Sequence, residues 1–518
     1  MKPSRDLYDL IHSLTSTEKR YVRRTALLSG RETSWLRLFD AIDSQRSFDE
    51  EGLRAALKGD RMLDNLSVAK RYVYNAVLRA LQSYGAGRDF DSEMGEMVEQ
   101  YKVLVHKGLH AQAARMMRDI KRRAVDGDAY LRLYWTNTQD YREAASSTEH
   151  AAMDHLESAN IERQRILRCI ENYSSVSDIY FRQRIVLRHR PNARSTEEQK
   201  QLTAIVAPLL AMNDEELLTP TATSFYHLAL GDYWEAIGRP DLARPHFDRF
   251  LDPAHLDPRA DLGDALRLAE LTNALFFRLR HGMTEGLERV IDGLRKRVGR
   301  LDRRGRAFNT QVHVYTRWLL TSLMFMNLTG RIEAAARLLG EEWERAEELW
   351  SVMPKKMRLQ LLHMMAAIRL ARGEHAAAID ALNRILNDSE TSTEEYGAAM
   401  LLALVAHVEA GNIEWLDAAI RSATRHLSSR ERYHQTEKAM IAGLRRVLQA
   451  RDEEETRAAF LHLHERLKKL FTDPRERAVS VSIDLLAWTE AHATGIPFVE
   501  MVRRRGRESA LAGATAQS

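Results

Sequence analysis

The sequence predicts an all-α protein of antiparallel helical hairpins, and three observations carry that prediction. Only 11 prolines occur in 518 residues, and none lies between Pro3 and Pro191. That stretch is rich in Leu, Ala, Arg, Glu and Met, which favours helix over strand. Glycines at Gly108, Gly238, Gly282, Gly330, Gly373 and Gly411 each stand between two stretches with apolar residues at helical spacing. From Gly238 to Gly411 these glycines recur at intervals of about 38 to 48 residues, the period range of helix-pair repeats.

Composition narrows the class further. With 44% apolar and 29% charged residues the chain has ample core-forming material. A length of 518 residues exceeds what one compact core usually serves, so several domains or an elongated array are needed. The 77 basic and 73 acidic residues nearly balance, which does not argue for nucleic acid. A single cysteine, Cys169, excludes an internal disulfide and leaves no cysteine pair for zinc, as in a reducing compartment. Residues Met1 to Asp9 lack the uninterrupted apolar core of a secretory signal. The most apolar windows, Leu319 to Leu328 and Met400 to Val408, are about half the length that crosses a bilayer and read as buried helices. The expected localisation is cytoplasmic.

Residues 1–88 read as a small N-terminal helical domain. Thr15-Ser16-Thr17-Glu18 forms a capping-box pattern ahead of Tyr21, Val22 and Leu27. Trp35, Leu36, Leu38, Phe39 and Ile42 make a second amphipathic stretch, Asp49 to Leu57 a third, and Ser67 to Gln82 a fourth. Residues 89–190 contain the first hairpin, around Gly108, then long helices over Ala129 to Ser146 and Glu149 to Arg190. Residues 191–222, punctuated by Pro191, Pro208 and Pro220, read as a connection with a short helix.

The helical array occupies residues 223–495. Between Leu359 and Leu386, one stretch places Leu361, Met364, Met365 and Ile368 on a face, and a second so places Ala378, Ala381, Leu382 and Ile385, with Gly373 between them. Two such helices joined by a short turn must fold back to bury those faces. Residues 496–518 lose apolar periodicity after Arg503 and read as a disordered basic tail.

The stretch Leu230-Gly231-Asp232-Tyr233-Trp234-Glu235-Ala236-Ile237-Gly238, with Ala243 and Phe247 beyond it, resembles the tetratricopeptide repeat (TPR) pattern of Leu-Gly, aromatic, Gly and Ala. Ala113, Ala335 and Ala378 stand at the same five-residue offset from their turn glycines, whereas Gly282 and Gly411 are followed there by Leu287 and Leu416. A glycine permits the tight turn and a small side chain lets the two helix axes approach. The resemblance covers Glu93 to Val125 and Thr223 to Leu427 and implies an irregular TPR-like α-solenoid of antiparallel helical hairpins with a small N-terminal helical domain. Two departures stand out. The spacing exceeds the usual repeat of about 34 residues, and Pro245 sits deep in a second helix, which would then start late or kink. The opening residues, with Asn65-Leu66-Ser67-Val68 and Tyr72-Val73-Tyr74-Asn75, resemble bacterial helical-repeat proteins of no assigned activity, which implies architecture only.

Motifs that could carry chemistry are sparse. Ser16/Lys19 and Ser67/Lys70 have the Ser-x-x-Lys spacing of serine acyl enzymes, but no Lys-Thr-Gly partner exists and helix capping accounts for them. Glu431/His434 has the ligand spacing of ferritin-like iron sites without the second pair such a site needs. His106/His110 straddle a turn, and His462/His464 point to different sides of a helix, so surface or boundary positions are expected. No phosphate loop, nucleophile elbow or dinucleotide fingerprint is present. No cofactor or metal is expected.

The strongest charge feature is Arg295, Lys296, Arg297, Arg300, Arg303 and Arg304, followed by Arg306. This is the candidate partner-binding group, set against a solvated helix end. Lys19-Arg20 with Arg23-Arg24, and Lys121-Arg122-Arg123, are smaller basic groups. The acidic run Glu341, Glu342, Glu344, Glu347 and Glu348 either balances the basic one or keeps an exposed helix soluble. Asp49 to Leu57 followed by Ser67 to Gln82 admits a helix-turn-helix reading with Lys70, Arg71 and Arg79 facing DNA, against simple packing of a helical domain.

The function expected first is an interaction or scaffold protein that binds a partner peptide or helix on the repeat surface. The alternatives are a regulator whose N-terminal domain contacts nucleic acid, and an enzyme whose site is assembled from residues distant in sequence.

Overall fold

A computed structural model describes residues 5–14, 16–28, 34–85, 90–146, 152–189, 192–193, 195–251, 265–304, 308–388, 393–429, 435–473, 476 and 483–505. Among them every regular element is helical and none is a strand. No helix among them is long and apolar enough to cross a membrane. The chain divides into two compact units, Met1–Asp140 and Tyr141–Ser518.

In the first unit, α1 (Asp6–Ser13), α2 (Ser16–Leu28), α3 (Ser34–Asp43), α4 (Glu50–Ala56) and α5 (Leu66–Gly85) surround one core. Ile11, Val22, Leu38, Phe39, Leu53, Val73 and Val77 fill it. The four amphipathic stretches read from the sequence correspond to α2 to α5, while Thr15 of the expected capping box lies outside the described residues. The Asp49 side chain caps α4 by accepting from the Gly52 N–H. Then come α6 (Phe90–His106), packed on α7 (His110–Asp126), and α8 (Tyr130–Ser146), which runs through the boundary between the units.

The second unit opens with α9 (Ala152–His189), 38 residues long and so about 57 Å at 1.5 Å per residue. Next is α10 (Thr196–Leu210), whose start is fixed by a reciprocal Ser195–Glu198 capping box. The expected short helix in the 191–222 connection is thus a four-turn element that tolerates Pro208 near its end. The remaining helices are α11 (Pro220–Ala236), α12 (Pro240–Asp248), α13 (Ala265–Arg280), α14 (Leu287–Arg304), α15 (Phe308–Leu328), α16 (Ile332–Glu348), α17 (Lys355–Ala371), α18 (His375–Leu386), α19 (Thr393–Glu409), α20 (Ile413–Ser429), α21 (Gln435–Gln449), α22 (Glu453–Leu470) and α23 (Leu485–Thr494).

One turn geometry recurs. At Gly373 the glycine N–H bonds the Leu370 carbonyl at 3.0 Å, and the next N–H, of Glu374, bonds the Arg369 carbonyl at 2.9 Å. The same pair of bonds closes α6, α11, α13, α15 and α19 at Gly108, Gly238, Gly282, Gly330 and Gly411. All six glycines have φ between +69° and +80°, the left-handed conformation that lets a helix end and reverse with its last carbonyls satisfied. Five residues later stand Ala113, Ala243, Leu287, Ala335, Ala378 and Leu416, none more than 4% exposed.

The hairpins α11/α12, α15/α16, α17/α18, α19/α20 and α21/α22 each pack helix on helix. First helices also meet one another: α13 touches α15, α15 touches α17, and α17 touches α19. A continuous core results, running from Leu268 to Trp488. Gly231 shows why the Leu-Gly pair matters, because a Cβ there would lie 2.9 Å from the Phe247 ring. Only hydrogen leaves room for that aromatic.

Two expectations are corrected. Of the two outcomes expected for Pro245, the late start is excluded: α12 begins at Pro240, keeps Pro245 inside, and passes into a 3₁₀ turn at Arg249–Leu251. Pro240 at the first helical position has its φ already set, and the missing Pro245 N–H removes a single bond in a short helix. The disordered tail expected over residues 496–518 does not hold for its first part. Residues 498–505 are helical, with Met501 only 1% exposed and Phe498 and Val502 against the core. Phe498, Met501 and Val502, spaced i, i+3 and i+4, form an apolar stripe that the surrounding arginines obscure. Arg503 reaches Glu333 at 3.2 Å, and the backbone of Val502 and Arg503 lies over Gly330. Residues 506–518 lie outside the described residues.

Candidate functional site

Arg295 and Lys296, the start of the basic run, are exposed on α14, Arg295 flanking and Lys296 opposite its buried face of Leu287, Ile291, Leu294 and Val298. The Arg295 guanidinium stands 5.9 Å from the Trp318 ring. Arg297, Arg300, Arg303 and Arg304 share that helix, but their side chains fall outside the described residues.

The smaller basic groups are largely neutralised within their own unit. Lys19 pairs with Asp43 at 2.5 Å, and Arg23 with Asp40 at 2.8 Å and Asp43 at 2.6 Å. Burial opposes ionisation of Asp43, yet the hydrogen bonds and charges of Lys19 and Arg23 hold its carboxyl below the ordinary range. Lys121 pairs with Asp140, Arg122 with Asp119 and Arg123 with Glu93. Lys70 turns to Glu50 at 2.5 Å, while Arg71 and Arg79 are exposed or nearly so. Ser67 Oγ donates to Asn65 Oδ1 at 3.2 Å. Glu431 and His434 lie outside the described residues.

His106 and His462 are exposed as expected, but His464 is buried, its Nδ1 3.1 Å from Thr489 Oγ1 of α23. Among the described residues no three His, Cys, Asp or Glu side chains converge as a cation site.

A polar cluster that no linear motif announces lies across α9, α11, α13 and α15. On α9, Tyr180, Gln183 and Arg184 share one face by their i, i+3, i+4 spacing. Gln183 is fully buried and donates to the Ala229 carbonyl of α11 at 2.9 Å. Arg184 Nη1 donates to Asp232 Oδ2 at 3.3 Å. From α15, Arg317 Nη1 donates to Thr272 Oγ1 of α13, and Glu270 of α13 is buried nearby.

Electrostatics tie these groups together. Burial, and next the Asp232 charge, push the Tyr180 phenol up to about 12, with Arg184, Arg317 and Glu270 also acting on it. Burial and the neighbouring Arg184 push the Arg317 guanidinium down to about 10. Both groups therefore keep their protons at neutral pH. Arg184 is still 45% exposed at the side chain while Asp232 is 10% exposed, so one guanidinium of the cluster faces solvent.

Beside it, Phe181 and Ile185 are exposed at 52% and 60%. Phe181 is seated on Tyr180 and Phe225, with ring centroids 5.4 Å from each. The chain thus offers a rigid aromatic base next to a solvent-facing cation. The sequence held a faint signal for this cluster: Asp232 and Arg317 each interrupt an otherwise apolar helix stretch.

Two further polar pairs stand within the second unit. His227 and His246 meet through their Nδ1 atoms at 2.8 Å, so only one of the two can carry the shared proton. Burial, then the Arg249 charge, push His227 down to about 4. Glu409 of α19 accepts from Trp488 Nε1 at 2.7 Å and also meets His492, tying α19 to α23.

Comparison with family models, curated proteins and solved structures finds no match to this chain.

Proposed function

We propose that this chain is an interaction protein, a TPR-like α-solenoid that binds a partner peptide or helix along the row formed by the first helices of its hairpins. The supporting observation is the combination of six alike glycine turns with mutual contact of α13, α15, α17 and α19. A helix so flanked has little surface left, and what it keeps is the face turned away from its own hairpin partner. On α15 and α17 that face retains His313, Arg317, Gln360 and His363, all partly solvent-accessible within otherwise buried helices. Polar side chains at such positions suit recognition of a partner backbone and side chains.

The regulator alternative loses one of its three basic residues, because Lys70 faces Glu50 of its own unit while Arg71 and Arg79 stay exposed. The enzyme alternative finds little support in the polar cluster, where Tyr180 and Arg317 hold their protons at neutral pH.

A photo-crosslinking residue at Gln360, compared with one at exposed Glu454 of α22, tests the reading in cells. A discrete partner adduct at position 360 and none at 454 is the expected outcome. Equal or absent adducts at the two positions would sink it.

A further inference from the structure

We infer that the C-terminal half of α9, around Phe181, Ile185 and Arg184, is a docking site for an acidic amphipathic segment of a partner protein. The inference builds on the interaction reading but concerns α9, a helix outside the glycine-turn hairpins that rests on Phe225 and Asp232 of α11. Its occupant is defined by two features: large apolar side chains, and flanking carboxylates.

The apolar feature follows from exposure and support together. Phe181 and Ile185 lie one helical turn apart and are exposed at 52% and 60%. Phe181 rests on Tyr180 and Phe225, and Tyr173 adds a ring 5.9 Å from Phe225. An exposed aromatic held by other aromatics loses little side-chain freedom on binding, which is the physical profile of an interface anchor.

The acidic feature follows from the charges that frame those two residues. Arg182, Arg184 and Arg188 are exposed on the same helix segment, where Asp178 pairs with Arg182 at 2.8 Å and Glu171 lies nearly three turns before Phe181. Arg184 engages Asp232 through one nitrogen at 3.3 Å, a long and monodentate contact for a group with five N–H donors. Arg188, one turn beyond Arg184, adds a second exposed guanidinium on the same side of the helix. An incoming carboxylate can take the guanidinium N–H donors that Asp232 leaves free, whereas a basic segment would meet like charges at Arg184 and Arg188.

The helical pitch sets the partner's pattern. Apolar residues at i and i+4 on an amphipathic segment cover Phe181 and Ile185, and acidic residues beside them face Arg184 and Arg188.

The test is selection of a phage-displayed random 16-residue peptide library on the full-length chain. Binding of the winners is then measured by fluorescence anisotropy. Enriched peptides are expected to carry Asp or Glu beside Leu, Ile or Phe pairs. Replacing their acids by amides should weaken binding about tenfold, and raising the salt should weaken it further.

Phe181→Ser and Arg184→Glu, both at exposed positions, should each abolish that binding, while Ile161→Ser, 70% exposed near the other end of α9, should leave it intact. Unchanged circular dichroism melts establish that the variants are folded. Winners without acids, winners that bind both variants as well as the parent, no enrichment at all, or a single-stranded oligonucleotide that displaces the winners from this site would overturn the inference. Winners lost instead on His363→Glu overturn it while leaving the first-helix row as the binding face. Loss on neither surface removes both.

Discussion

At the scale of single residues, this chain repeatedly holds polar groups in states that water would not favour. Burial pushes His227 and His363 each down to about 4, against about 6.5 in an unfolded chain. Between those values the unfolded state binds more protons than the folded one, so stability is intact above about pH 6.5 and falls as the pH drops toward 4. For His227 alone the loss approaches about 3 kcal/mol at the acid end of the window. Urea midpoints at pH 7.5 and 4.5 should differ accordingly. His227→Gln, which has no proton to take up, should narrow the difference, and an unchanged slope would refute the assignment.

Glycine supplies a second residue-scale contrast. Gly108 and Gly330 have nearly the same φ, but a Cβ on Gly108 meets nothing within 4 Å, whereas on Gly330 it meets the Arg503 Cα at 3.1 Å. Gly108→Ala should cost about 1 kcal/mol from backbone strain alone. Gly330→Ala should cost about 2–3 kcal/mol, since the C-terminal helical segment must also move. Equal melting shifts for the two would mean that the 498–505 contact carries no energy.

At the scale of the element, the alanine five positions after Gly108, Gly238, Gly330 and Gly373 lets the two helices approach closely. Ala378 of α18 is fully buried, so Ala378→Leu should overpack the α17/α18 hairpin and cost about 1–3 kcal/mol. Circular dichroism melts of the full chain would register it. Much at this scale is legible in the sequence. A helical period and a left-handed glycine are each encoded within a few neighbouring residues, so all six turns, from Gly108 to Gly411, can be read directly along the chain. Misreadings arise where local signals compete. Pro245 reads as a breaker, yet α12 is short enough to absorb it, and the arginines after Met501 read as a tail although Phe498, Met501 and Val502 share a buried face.

At the scale of the whole molecule, the second unit is closed by residues from its far end. Trp488 is fully buried and donates to Glu409 across 79 positions, and Arg503 meets Glu333 across 170. Trp488→Ala should therefore cost about 3–5 kcal/mol. Hydrogen exchange should rise in α19 and α22, which contact it, more than in α11. Protection lost only within α23 would show that the C-terminal helices are an appendage and not part of the unit's cooperative core.

That this chain is helical, and which glycines reverse its hairpins, follow from backbone preferences and a 3.6-residue period. Those preferences act over a turn or two of helix, so neighbouring residues suffice to express them. Which polar groups meet is set by packing instead. Arg184 and Asp232 are 48 positions apart, Arg317 and Thr272 are 45 apart, and nothing in either neighbourhood names the other. The candidate basic cluster on α14 is contiguous in sequence and easy to see. The cluster around Tyr180 is not, because its members become neighbours only when α9, α11, α13 and α15 pack together.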